Sequence, residues 1–293
     1  MTLVLTVLQI AAPVFLLAGI GFAWVRLGYG YDTAFVTRLA MTLAMPALIL
    51  TALARTTLDP AAVGRMALAT LGGYAMLALA VWALCMAFRL DRRTFLAPLI
   101  FGNTGNLGLP LCLFAFGDAG LALGVVAFAV TTVGQFTLGL WLVAGGGSPG
   151  PALREPMVGA TLLGGIMLWR GWPLPEVAAN ALGLVAQMAI PLMLITLGVA
   201  VARLSTGGVG RTSLLAAAKV ALGAGLAWAA ARLAGLDAVA TGVLVLQLAT
   251  PVAVSSYMLA LKYGADAEAV AGLVVVSTAM SIVTLPTLLA VLL

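Results

Sequence analysis

The chain has 293 residues, of which 63% are hydrophobic and only 8% are charged, with a net charge of +5. A soluble domain carries about 25% charged residues, so this composition excludes a water-facing globule and a disordered chain. It also excludes a nucleic-acid binder, since the basic residues are scattered over many loops and form no stripe.

A mean hydropathy of +1.19 points to a polytopic membrane protein built from helices of about 20 residues. Charged and Gly/Pro-rich breaks predict ten spans, at 3–25, 33–54, 66–88, 94–116, 119–143, 156–170, 177–202, 212–234, 238–260 and 267–291. The fold class is therefore an all-α membrane protein. No Lys or Arg precedes the first apolar run, so a signal peptide's charged start is missing and this segment is expected to remain as a span. Pro46 in span two is expected to kink a helix, as is Pro191 in span seven.

Span four reads Phe101-Gly102-Asn103-Thr104-Gly105-Asn106-Leu107-Gly108-Leu109-Pro110. Each glycine costs a helix interior about 1 kcal/mol and proline about 3. Non-helical backbone at membrane depth survives only when buried in protein or lining a wet cavity. A discontinuous helix is thus expected, unwound near Asn103–Gly108, with Gly108 and Pro110 at the break and Pro110 opening the second half. Asn103, Thr104, Gly105 and Asn106 become candidate substrate-binding residues, with Asn106 expected to matter more than Asn103.

Span five carries Gln135, a polar residue suited to bridging helices or touching a ligand. The run Gly145–Pro151 marks a cytoplasmic linker at 144–155, which divides a first five-span repeat (1–143) from a second (156–293). In span eight Lys219 is the one formal charge well inside a span, about 12 Å beyond Arg211 at 1.5 Å per residue. It either snorkels back to the interface or serves as an anion partner. Span nine has Thr250-Pro251 followed by Ser255; Thr250 and Pro251 read as cap and first residue of another half-helix, with Pro251 at the break, and Thr250, Pro251 and Ser255 join the candidate substrate-binding residues.

The two halves resemble each other weakly. Met45-Pro46 matches Ile190-Pro191, Pro110 matches Pro251, and Asp118 with Gly124 matches Asp266 with Gly272, at offsets of roughly 141 to 148 positions. An odd number of spans per half inverts the second, which is the construction of many secondary transporters. Arg26, Arg38, Arg89, Arg92, Arg93, Arg154, Arg203, Arg211 and Lys262 share one side, against Arg55, Arg65, Arg170 and Arg232 on the other. The richer side is expected to be cytoplasmic, with both termini outside the cytoplasmic membrane. The absence of histidine, and of any acidic residue in a span core, leaves an enzyme without a base or a proton relay without a carrier. Cys85 and Cys112 suggest neither a disulfide framework nor a metal site, and no cofactor is expected.

The span-four motif Asn103–Pro110, Pro251 in span nine and the ten-span order resemble the auxin efflux carrier family. The resemblance implies a five-plus-five inverted repeat in which spans four and nine cross, a fold shared with bile-acid symporters. It further implies a scaffold of spans one, two, six and seven beside an elevator-like transport domain of spans three to five and eight to ten. Asn103, Asn106, Pro110 and Pro251 would take the crossover roles, organic anions (auxin-like or dicarboxylate) would be the substrates, and a homodimer would form through the scaffold. The linker is far shorter than the long cytosolic loop of many plant members, which favours a prokaryotic inner-membrane exporter. A sodium-coupled organic-anion symporter of the bile-acid type is the alternative.

Overall fold

A computed structural model describes residues 3–55, 58–145, 156–204 and 209–293; most of the expected linker, including Arg154, lies outside the described residues. Among these residues the chain is helical throughout, without a β-strand. In chain order the helices are α1 (Leu3–Arg26), α2 (Thr33–Leu39), α3 (Met45–Arg55), α4 (Pro60–Ala87), α5 (Arg92–Ile100), α6 (Leu109–Gly134) and α7 (Leu140–Ala144). The second half follows with α8 (Pro156–Arg170), α9 (Glu176–Gln187), α10 (Ala189–Arg203), α11 (Val209–Leu233), α12 (Ala238–Leu248), α13 (Val254–Tyr263) and α14 (Ala267–Leu292). Three wide π-turns, at Ala40–Ala44, Thr104–Gly108 and Gln135–Gly139, lead directly into α3, α6 and α7.

Five acidic residues explain where helices begin. Asp32, Asp59, Asp91, Asp237 and Asp266 are N-caps whose carboxylates accept from backbone N–H groups of the first turn, each cap worth about 1 kcal/mol. Pro46 follows the π-turn at Ala40–Ala44, and Pro191 follows the interruption at Met188 between α9 and α10. Both prolines thus stand in the first turn of a helix that follows an irregular turn, where the clash of a proline ring with the carbonyl four residues earlier is relieved.

Seven helical stretches among the described residues are long and apolar enough to cross a membrane. One of them, Thr104–Ala144, doubles back at Gly117, whose φ of 65° and ψ of −155° are open only to glycine. A Cβ at Gly105 would meet Phe128, at Gly124 it would meet Leu109, and at Gly120 it would meet Cys112. Those pairings run antiparallel, so the two arms of α6 form a helical hairpin with Gly117 at its tip. Large apolar side chains such as Leu16, Leu68, Leu79, Leu214 and Val283 are exposed all round the molecule, as a lipid-facing surface requires.

Helices α1 and α10 pack together, and α3 packs on α8 and α9; α11 packs on α4, α12 and α14, while α6 packs on α4 and α12. The α1–α10 seam is unusually close. A Cβ on Gly21 would lie 2.0 Å from the Ile195 carbonyl oxygen, and one on Gly198 would lie 1.8 Å from that of Ala18. Small residues that let backbones touch are the usual adhesive between helices in lipid, where no hydrophobic drive separates them from solvent.

A candidate substrate site at the crossing of two broken helices

Helix α5 ends at Ile100 and α12 at Leu248, and each is followed by a short non-helical stretch before the chain turns helical again. The two stretches meet. Gly102 and Val252 form an isolated antiparallel bridge, and the Asn103 backbone N–H donates to the Pro251 carbonyl at 2.7 Å. Buried backbone groups must find partners, and here they do. The Val252 N–H donates to Ser277 Oγ at 3.0 Å, and the Thr250 carbonyl accepts from Lys219 Nζ at 2.7 Å. Pro251 has no N–H to satisfy, which suits an extended strand pinned between two helices.

Close approach at the crossing demands Gly102. A Cβ there would lie 2.2 Å from Thr250 Oγ1 and 3.1 Å from Lys219 Nζ. Lys219 is only 1% exposed, so the snorkelling reading is overturned. Its face of α11 is turned towards the end of α12, and the amine reaches a carbonyl before it can reach the interface.

Three local expectations need correction. The break in span four is confined to Phe101–Asn103, because Thr104–Gly108 is a π-turn in which Leu107 and Gly108 N–H both donate to the Asn103 carbonyl (3.1 and 3.2 Å). Pro110 stands in the first turn of α6 as anticipated, yet no gap precedes it. Thr250 caps no second half-helix. Its Oγ1 donates back to the Gln247 carbonyl at 2.7 Å, closing α12, and α13 opens at Val254 with Ala253 as an N-cap lacking a side-chain bond.

Asn103 is 5% exposed and its Nδ2 has no partner. Thr104 and Gly105 are buried beside it, and Gly105 faces Phe128 and the Met193 side chain of α10; Asn106 is half-buried. Gln135 Nε2 donates to Ser255 Oγ at 2.8 Å, joining two candidate residues from opposite halves of the chain. The neighbouring Ser256 is buried with an unpartnered hydroxyl. The helices that resume after the crossing, α6 through its π-turn at Thr104 and α13 at Val254, begin beside this region, and helix N-termini carry positive partial charge suited to an anion.

Sequence reading passed over three supporting residues. Gln247 reaches from α12 to the Gly124 carbonyl (3.3 Å), its Oε1 filling the space that a Cβ on Gly108 would need. A polar residue in an apolar run was the available signal. Ser277 carried no such signal. Arg93 donates to the Val143 carbonyl at 3.2 Å and the Tyr263 carbonyl at 3.0 Å, binding the C-terminal ends of α7 and α13. Beside the hairpin tip a cleft of about 680 Å³ opens between α3, α6 and α9, lined by Leu48, Thr51, Asp118, Ala186, Gln187 and Ile190.

Comparison with known proteins points to membrane transport. The membrane transport protein family matches residues 149–289. An "uncharacterized transporter" of Methanothermobacter thermautotrophicus is 28% identical over 191 residues, which covers 63% of this chain. The match spans 63% of that relative's own length. Both names are those of transporters and neither is that of an enzyme. Residues 149–289, just under half of the chain, match the membrane transport protein family, and the span-four motif resembles the auxin efflux carrier family.

Proposed function

We propose that the protein is a secondary transporter that carries small organic anions out across the cytoplasmic membrane by elevator-type alternating access. The observation that carries this reading is the crossing itself: two interrupted helices, held through Gly102–Val252 and Asn103–Pro251, with unpartnered donors at hand. Interrupted helices at matched positions of two repeats are where transporters bind their cargo. In this reading ten spans form the two repeats, with the hairpin of α6 supplying parts of spans four and five and α12 with α13 forming span nine. Spans one, two, six and seven form the scaffold, through which two copies pair, and the remaining six move. Substrate contacts come from Asn103, Thr104, Gly105, Asn106, Gln135, Thr250, Pro251, Ser255 and Lys219. Both termini lie outside.

The alternative, a sodium-coupled symporter, would use carbonyl oxygens at such a crossing for the cation. Lys219 already donates to one of them, Thr250 O, which favours sodium-independent export. The test is carboxylate flux from proteoliposomes under a potassium–valinomycin potential, without sodium or proton gradients. Efflux driven by an anion-repelling potential is expected. Flux that ignores the potential, or that needs a sodium gradient, overturns the exporter reading in favour of the symporter.

A further inference from the structure

Lys219 is the only buried charged side chain among the described residues. Its hydrogen bond goes to a backbone carbonyl and not to a carboxylate. That carbonyl lies two residues past the end of α12, and α5 ends at the same crossing. Helix C-termini carry negative partial charge, so they hold the ammonium without cancelling a full unit of it. At the same crossing Asn103 is buried and its Nδ2 lacks a partner. Gly102, adjacent to Asn103, has the space of its missing Cβ within 3.1 Å of Nζ. The crossing therefore holds a buried ammonium with no carboxylate partner and, on the residue after Gly102, an unpartnered amide donor, and a bound carboxylate supplies the counter-charge that the ammonium lacks.

Building on the transporter reading, we propose that Lys219 makes the crossing a monoanion site: the loaded site is electrically neutral, and the membrane potential acts on the return of the empty one. A second negative charge on the ligand would be buried without a partner, which is strongly unfavourable. Over a full cycle the net charge moved equals that of the substrate, because the protein returns to its starting state. Lys219 changes only the half-cycle in which the charge moves. Helix α11 packs on α4, α12 and α14, so the lysine stays with the crossing in both access states. With the cell interior negative, the empty, positive site is drawn to face the cytoplasm, where it loads.

The experiment compares net efflux with homo-exchange in proteoliposomes, using labelled indole-3-acetate, and succinate against its monomethyl ester, under potassium–valinomycin potentials of either sign. Wild-type net efflux of the monoanions should change several-fold with the sign of the potential, while their exchange changes by less than about twofold. The monomethyl ester should be preferred over succinate by at least about tenfold. Lys219→Met should make exchange potential-dependent and weaken monoanion affinity about tenfold or more, whereas Lys219→Arg should retain the wild-type pattern. Wild-type exchange as steeply potential-dependent as net efflux overturns the proposal, as does a preference for succinate, or one proton leaving with each anion. If none of these anions moves in either assay, the organic-anion reading falls and the proposal with it. Potential-driven net efflux combined with potential-dependent exchange defeats the monoanion proposal alone.

Discussion

Asn103 Nδ2 is a buried donor without a partner in the protein, and a chain that buries such a group bears a cost of about 1–3 kcal/mol. A ligand that accepts from it removes that cost. Asn103→Ala should therefore leave thermal stability unchanged or slightly raised. Substrate affinity should fall about tenfold, since a bond to a charged acceptor is worth about 1.5–3 kcal/mol. Asn106→Ala should be milder, because Asn106 sits half-buried in the π-turn beyond the crossing. Binding of a carboxylate followed by thermal shift checks both; an Asn103→Ala protein that melts earlier and binds normally would mark a structural residue. This order reverses the one expected from sequence, which located the break nearer Asn106.

At the scale of elements, the interruption of spans four and nine was legible because glycine and proline act on the local backbone, where sequence is informative. The offset of a few residues was not, since a π-turn and an unwound strand are both compatible with Thr104–Gly108. The orientation of Lys219 was also hidden: which face of α11 meets α12 depends on packing between segments. So was the Gln135–Ser255 bond, between residues far apart in the chain. Irregular turns before Pro46 and Pro191 were readable for the same local reason as the breaks. The α1–α10 seam supplies a test at this scale. Gly198→Ala places a methyl against the Ala18 carbonyl, and overpacking of this kind costs about 1–3 kcal/mol. A lower thermal midpoint in detergent is expected; an unchanged one would mean that the seam opens freely.

For the whole molecule, the excess of basic residues on one side predicts an orientation in which that side is cytoplasmic. If the chain is oriented so, the hairpin tip and its cleft should face outwards. Ala119 is exposed at the tip, whereas the native Cys85 and Cys112 are buried, so background labelling should be low. Ala119→Cys in intact cells should react with a membrane-impermeant maleimide. Reaction only in inverted vesicles would reverse the topology and with it the assignment of the cleft to the outside.

Arg93 ties the last carbonyls of α7 and α13 to the start of α5. Those ends would otherwise fray separately, each with its own small opening free energy. Sharing one guanidinium merges them into a single cooperative unit, so amide hydrogen exchange along Leu140–Ala144 and at the end of α13 should rise and fall together. Opening at one terminus should then be accompanied by opening at the other, and the three segments should move together as one lever.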